Sequence, residues 1–283
     1  MTTLLGDVSD SWQELRQVWL SFDWSSASYS HGAFHHIAIL APTTVVRVST
    51  ALHHRTQVER QCNSLKAVNC AAPGIRIPQF IDTFVRDQWS AMACSFIRGA
   101  HSEKPDWRRV RDPLAEILAE LRATRIPPSN LPPVRAWSGG DAWPTIVEKM
   151  TTVLGADVRK QAQRIVADVL DLADIGERGL VHGDFGMHNL LWDGEGAPGL
   201  IDLDNACVGD PAIDFAPLIG QFGAARVADI ADADVLERAR IYRASLPLQV
   251  AAAADFAGDS ALRDHALRNF AARAAAGSLY GPS

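Results

Sequence analysis

Leu180-Val181-His182-Gly183-Asp184-Phe185-Gly186-Met187-His188-Asn189-Leu190-Leu191-Trp192 runs into Ile201-Asp202-Leu203-Asp204, and then into Gly209-Asp210-Pro211-Ala212-Ile213-Asp214-Phe215-Ala216. An apolar pair leads in and an apolar triplet leads out, with small and polar residues between them. Residues 190–192 and 199–203 read as a hairpin closed by Asp193-Gly194, a turn pair suited to two-residue connections. Asp210 and Pro211 read as the cap and first residue of a helix. Taken singly, Asp184, Asn189 and Asp202 are residues that cap loops and form turns. Their fixed order across a strand, a loop and a hairpin is what calls for a chemical reading.

Upstream of this stretch the chain is rich in strands. Trp12, Leu15, Val18 and Trp19 share one helical face. Residues 34–39 and 44–48 carry the β-branched and aromatic pattern of a hairpin, and 80–85 and 89–97 read as two more strands. Between these pairs, 53–68 reads as a helix marked by Val58, Leu65 and Val68. The remainder is mainly helical. Asp112-Pro113 reads as a helix start, with Leu114, Ile117, Leu118 and Leu121 following at helical spacing. Pro127-Pro128 and Pro132-Pro133 break it, and further helices are expected over 164–173, 211–221, 234–245 and 260–275.

Bulk properties narrow the class. The chain has 283 residues, 47% of them hydrophobic, enough for a substantial core. A net charge of −6 argues against a general nucleic-acid binder. The sequence holds no apolar run of membrane-spanning length. Met1-Thr2-Thr3-Leu4-Leu5-Gly6-Asp7 lacks the features of a signal peptide. Cys62, Cys70, Cys94 and Cys207 make no C-x-x-C pair, so a cytoplasmic location and no membrane partner are expected. Gly194-Glu195-Gly196-Ala197-Pro198-Gly199 matches G-x-G-x-x-G in letters only, because Pro198 lies inside it and a strand follows. The histidines at 31, 35, 36, 53 and 54 show no H-E-x-x-H spacing. No G-x-S-x-G and no P-loop motif occurs.

The segment His182-Gly183-Asp184 with Asn189, then Ile201-Asp202, then Gly209-Asp210-Pro211 with Asp214, resembles the signature of the aminoglycoside phosphotransferase and choline kinase-like superfamily. The resemblance implies an α+β, two-lobed protein-kinase-like fold with a small β-rich N-lobe and a larger, mainly helical C-lobe. It places a nucleotide-binding lobe at 1–97 and a catalytic and substrate-binding lobe at 98–283. It further implies transfer of the γ-phosphate of ATP or GTP to a hydroxyl, or as a second choice an amine, of a small-molecule acceptor: a metabolite or an aminoglycoside-like antibiotic.

By the same resemblance Asp184 is the catalytic base, while Asn189 and Asp202 are ligands of Mg2+. Phosphoryl transfer needs positioning and charge neutralisation, which a carboxylate base and oxygen ligands to a hard cation supply. Arg47 stands where such enzymes commonly carry a phosphate-binding lysine, and Glu59, twelve residues on, stands as its ion-pair partner. Gly32, in Ser30-His31-Gly32, is assigned to the phosphate-covering turn, and Ala93 and Ser95 to the hinge that meets the purine. His182 and Asp214 are read as braces of the loop. Asp204 is open between a role near the metal and a solvent-facing one.

An alternative is a catalytically silent nucleotide-binding regulator. A kinase acting on proteins is disfavoured, because Asp202 and Gly209 are only seven residues apart. The acidic run Asp229-Ile230-Ala231-Asp232-Ala233-Asp234 is a candidate wall for a cationic acceptor, or a solvated helix start.

Overall fold

The computed structural model describes residues 8–32, 35–51, 53–172, 178–194 and 196–281. The chain forms two compact units. One holds Thr3–His101 together with Leu190–Asp204; the other holds Ser102–Asn189 and Asn205–Ser283. The boundary expected after residue 97 thus falls after His101, and the segment around Asp202 groups with the first unit.

In the first unit, Ser9–Val18 forms α1, with Leu15 fully buried. Strands β1 (Ser28–His31), β2 (His36–Leu40), β3 (Thr44–Ser49), β4 (Phe80–Val85) and β5 (Ser90–Ser95) make an antiparallel sheet of order β1-β2-β3-β5-β4. Helix α2 (His54–Ala71) joins β3 to β4 in the chain. Phe34, expected to open a strand, lies outside the described residues. Strand β1 is exposed at all four positions and so gives no inside-outside alternation to read. Alternation along β3 sends Val46 and Val48 into a core with Leu15, Trp19, Ala38 and Leu40. Each such aliphatic side chain contributes about 1.5–3 kcal/mol by leaving water. The same alternation turns Arg47 to the other face, where α2 supplies Gln61.

The second unit begins with α3 (Trp107–Ala123). Its start corrects the expectation at Asp112-Pro113: Asp106 is the cap, accepting a hydrogen bond from the Arg108 N–H at 3.1 Å, and Pro113 lies inside the helix. The buried face is Val110, Leu114, Ile117, Leu118 and Leu121. Helices α4 (Trp143–Met150) and α5 (Ala156–Asp171) follow. The first was not expected and the second starts earlier than expected, while the proposed end at Ala173 lies outside the described residues.

Strand β6 (Gly179–Val181) leads into the signature loop. The expected hairpin forms in shorter strands, β7 (Leu190–Leu191) and β8 (Gly199–Leu200), antiparallel and part of the first unit. Residues 192–198 connect them in place of a two-residue turn, and 201–203 lie outside the strand, with Leu203–Asn205 a single 3-10 turn. Strand β9 (Cys207–Gly209) returns to pair with β6, Val181 opposite Cys207. Helices α6 (Ala212–Phe222), α7 (Ala224–Val227), α8 (Ala233–Phe256) and α9 (Ser260–Ala275) complete the unit. No helix among the described residues is long and apolar enough to cross a membrane.

Candidate active site

The signature loop hangs between β6 and β7 and is held from below by one carboxylate. Asp214, in the first turn of α6 and 1% exposed, accepts the His182 N–H at 2.7 Å and the Gly183 N–H at 2.8 Å. Burial pushes Asp214 up to about 7, against the pull of those two donors. Gly183 has φ +82°, and a Cβ there would stand 2.4 Å from the Asn205 carbonyl oxygen, so only glycine fits. His182 is fully buried, and its Nδ1 accepts the Asp184 N–H at 3.3 Å. Both residues hold the loop in shape, as expected of them.

Asp184 follows, half-buried, and its two oxygens differ. Oδ2 meets the Asn189 amide at 3.2 Å and His188 Nε2 at 3.1 Å. Oδ1 takes no hydrogen bond from the described residues and is free to accept a proton. Burial opposes the charge on Asp184, but the His188 contact and the Asn189 bond outweigh it and hold the carboxyl below its ordinary range. Asn189 spends its amide nitrogen on Asp184, reaching the backbone oxygen at 2.9 Å as well as Oδ2. Its amide oxygen, with no partner among the described residues, remains as a hard ligand for a cation.

The first unit brings Arg47, Asp202 and Asp204 together. Arg47 donates to Asp204 through both terminal nitrogens, at 2.9 and 2.6 Å, and to Asp202 at 3.3 Å. Gln61 adds a bond to Asp204 at 2.6 Å, and His35 Nδ1 lies 3.2 Å from Arg47. Burial works against the Arg47 charge, yet Asp204 and Asp202 overcome it and raise its pKa. His35, 6% exposed beside this cation, is pushed down to about 3 and stays neutral. Asp202 takes φ +62°, a left-handed conformation that non-glycine residues rarely hold.

Three expectations are corrected here. Glu59 is exposed and does not pair with Arg47. The buried face of α2 carries Val58, Gln61, Cys62 and Leu65, and Glu59 is off it. Ala93 is fully buried in β5, flanked by Val46 of β3 and Asp82 of β4, so its backbone belongs to the ladder. Ser95 exchanges bonds with Gln79 through both its N–H and its Oγ, at 2.8 Å each. Neither offers a free edge to a purine; the chain first leaves the sheet after them. Gly32 lies in the connection from β1 to β2 and donates its N–H to the His35 carbonyl at 2.8 Å, with Ala33 and Phe34 outside the described residues.

Sequence reasoning missed Asp204 as the principal partner of Arg47, and with it Gln61 and His35. The signal for Gln61 was available in the 58, 61, 65, 68 spacing of α2. The acidic run is engaged structurally: Asp229 accepts from Trp107 Nε1 at 2.9 Å, Asp232 pairs with Arg122 at 3.4 Å, and Asp234 with Arg238 at 3.0 Å.

Known proteins share this architecture. The GDP complex of wild-type aminoglycoside 2'-phosphotransferase-IIIa superposes with a TM-score of 0.76, covering 96% of this chain and 100% of that one at 15% identity. The spectinomycin phosphotransferase APH(9)-Ia, with ADP and spectinomycin, gives 0.64 over 93% of each chain at 14% identity. Viomycin phosphotransferase of Streptomyces vinaceus is 33% identical over 111 residues, a match spanning 36% of this chain and 38% of that relative. The model of the phosphotransferase enzyme family, APH, matches residues 34–266. With most of its length matched and the signature loop built as described, the chain belongs to the APH phosphotransferase enzyme family.

Proposed function

We propose that the chain transfers the γ-phosphoryl group of ATP or GTP to a hydroxyl of a small molecule, with Asp184 as general base. The observation that carries this reading is the asymmetry of Asp184: Oδ2 is fixed by Asn189 and His188, and Oδ1 is left open. A carboxylate kept ionised and oriented in this way can take the acceptor's proton as its oxygen attacks phosphorus. The Asn189 amide oxygen and the Asp202 carboxylate are the proposed ligands of Mg2+, an oxygen set that suits a hard cation. When bound, the ion would neutralise phosphate charge. Arg47, kept protonated by Asp204, is the proposed phosphate contact. The named activity of the Streptomyces vinaceus relative supports an antibiotic as one acceptor class.

The test is Asp184→Asn assayed for nucleotide turnover against a library of hydroxylated metabolites and antibiotics. A loss of about 10²–10⁴ in kcat is expected with nucleotide affinity retained. Turnover near that of the unaltered protein would refute the assignment. A silent nucleotide-binding regulator is the second reading, favoured by one contact: Arg47 already pairs with Asp202, the proposed metal ligand. It predicts nucleotide binding without turnover on any acceptor.

A further inference from the structure

Next to the signature loop the second unit has a small pocket, lined among others by Arg135, Trp137, Gly183, Asn205, Tyr242 and Gln249. Gly183, one of the lining residues, immediately precedes the proposed base in the chain. Its volume is about 20 Å3, room for a group on the scale of one water molecule.

The charge in this pocket is unusual. Arg135 is the one charged residue in its lining, and no carboxylate lines it. No ion pair to Arg135 forms among the described residues, and its Nε is buried without a hydrogen-bond partner. Asp141 acts on it through space only and is itself exposed. The guanidinium lies over the Trp143 ring, 5.4 Å from the centroid, which orients the fork without neutralising it. Partial burial lowers the Arg135 pKa from its ordinary value, and the charges around it do not offset that effect. The backbone contributes as well, since Arg135 sits at φ +61°, a conformation an arginine adopts only where surroundings impose it. Arg135 is half-buried, so its terminal nitrogens stay within reach of a ligand while its Nε has no partner in the fold.

We infer that the acceptor is a hydroxylated carboxylate, seated by its carboxylate on Arg135 with its hydroxyl presented to Asp184. The inference rests on the phosphotransferase reading and names its substrate class. A planar carboxylate matches the guanidinium fork, and the pocket's remaining polar walls are neutral. A polycationic acceptor would meet the charge of Arg135 there, and no carboxylate lines the pocket to receive it. In the reaction the acceptor oxygen bonds to the γ-phosphorus and the bond from that phosphorus to the bridging oxygen breaks. The nucleoside diphosphate leaves with the bridging electron pair, and the hydroxyl proton passes to Asp184 Oδ1.

The test compares three acceptor sets with magnesium–ATP and magnesium–GTP: short hydroxy acids and hydroxy amino acids, the methyl esters of the same compounds, and polycationic amino sugars. Nucleoside diphosphate release and phosphorus NMR of the product are read. The acids are expected to be phosphorylated, and esterification to raise KM about 10- to 100-fold, the loss of a charge-assisted contact. In R135Q the acid-to-ester ratio of KM should collapse towards one, and R135K should restore part of it. Nucleotide affinity and melting temperature establish that the variants are folded. Direct calorimetric titration with a hydroxy acid, bound by the unaltered protein and not by R135Q, gives a readout independent of turnover. Equal KM for acids and esters, or amino sugars phosphorylated equally by the unaltered protein and R135Q, would overturn the inference and leave the phosphotransferase reading standing. Absence of turnover with every acid would overturn it too. Absence of turnover with every class would take the phosphotransferase reading down with it.

Discussion

Replacing Asp204 by asparagine removes one charge from beside Arg47 and almost no volume. Asp204 accepts both terminal nitrogens of Arg47 and the Gln61 amide, so three bonds converge on one carboxylate. After the change, Asp202 at 3.3 Å is the remaining carboxylate on the guanidinium. Breaking a buried ion pair by removing one partner costs about 3–5 kcal/mol. The two side chains retain 14% and 20% exposure, which points to the lower end, about 3 kcal/mol. For a protein of this size that is a fall in Tm of roughly 6–12 °C. Replacing both partners by apolar residues, Arg47→Met with Asp204→Leu, should cost far less than the sum of the single changes, because no orphaned charge remains. Urea denaturation of the four proteins in the cycle measures this. A loss below about 1 kcal/mol in Asp204→Asn, or strict additivity in the cycle, would refute the idea that Asp204 is the anchor of Arg47.

Arg47→Lys should keep a charge near Asp204 but lose the two-pronged contact, raising nucleotide KM less than Arg47→Ala does; steady-state kinetics with both nucleotides compares them. His35 offers a pH test: its folded pKa of about 3 lies below the ordinary 6.5. The unfolded chain therefore takes the proton first, so the stability contributed is complete above pH 6.5 and drains as pH falls towards 3. His35→Gln should flatten that part of a plot of urea midpoint against pH. Gly183→Ala should destabilise by about 2–4 kcal/mol through strain and overpacking, and abolish turnover, as melting and activity assays would show.

What the sequence made legible was whatever depends on chain-local order. The signature residues, the strands on either side of α2 and the late helices follow from spacing and periodicity. Errors arose where two local signals competed or where a partner lies far along the chain. Asp106 and Asp112 are equally good caps by residue type, and a proline following the second tipped the reading towards it. Proline within an early turn is tolerated there because α3 gains its stability from the face at 110, 114, 117 and 121. Glu59 was assigned by resemblance, from its place on α2 twelve residues after Arg47, yet the partner that forms is 157 residues from Arg47. The hinge assignment failed for a related reason: residues 92–95 read as strand, and only the pairing on both sides shows that their backbone groups are consumed.

The grouping of Leu190–Asp204 with the N-terminal sheet has a consequence for biosynthesis. Ribosomes deliver residues 3–101 first, and at that moment Arg47 sits on β3 with neither Asp202 nor Asp204 yet polymerised. About a hundred further residues must be added, roughly 5–20 s at usual elongation rates, before the carboxylates that neutralise it exist. Any sheet formed in that interval would carry the Arg47 cation without its carboxylates, and residues 3–101 expressed alone would keep it so.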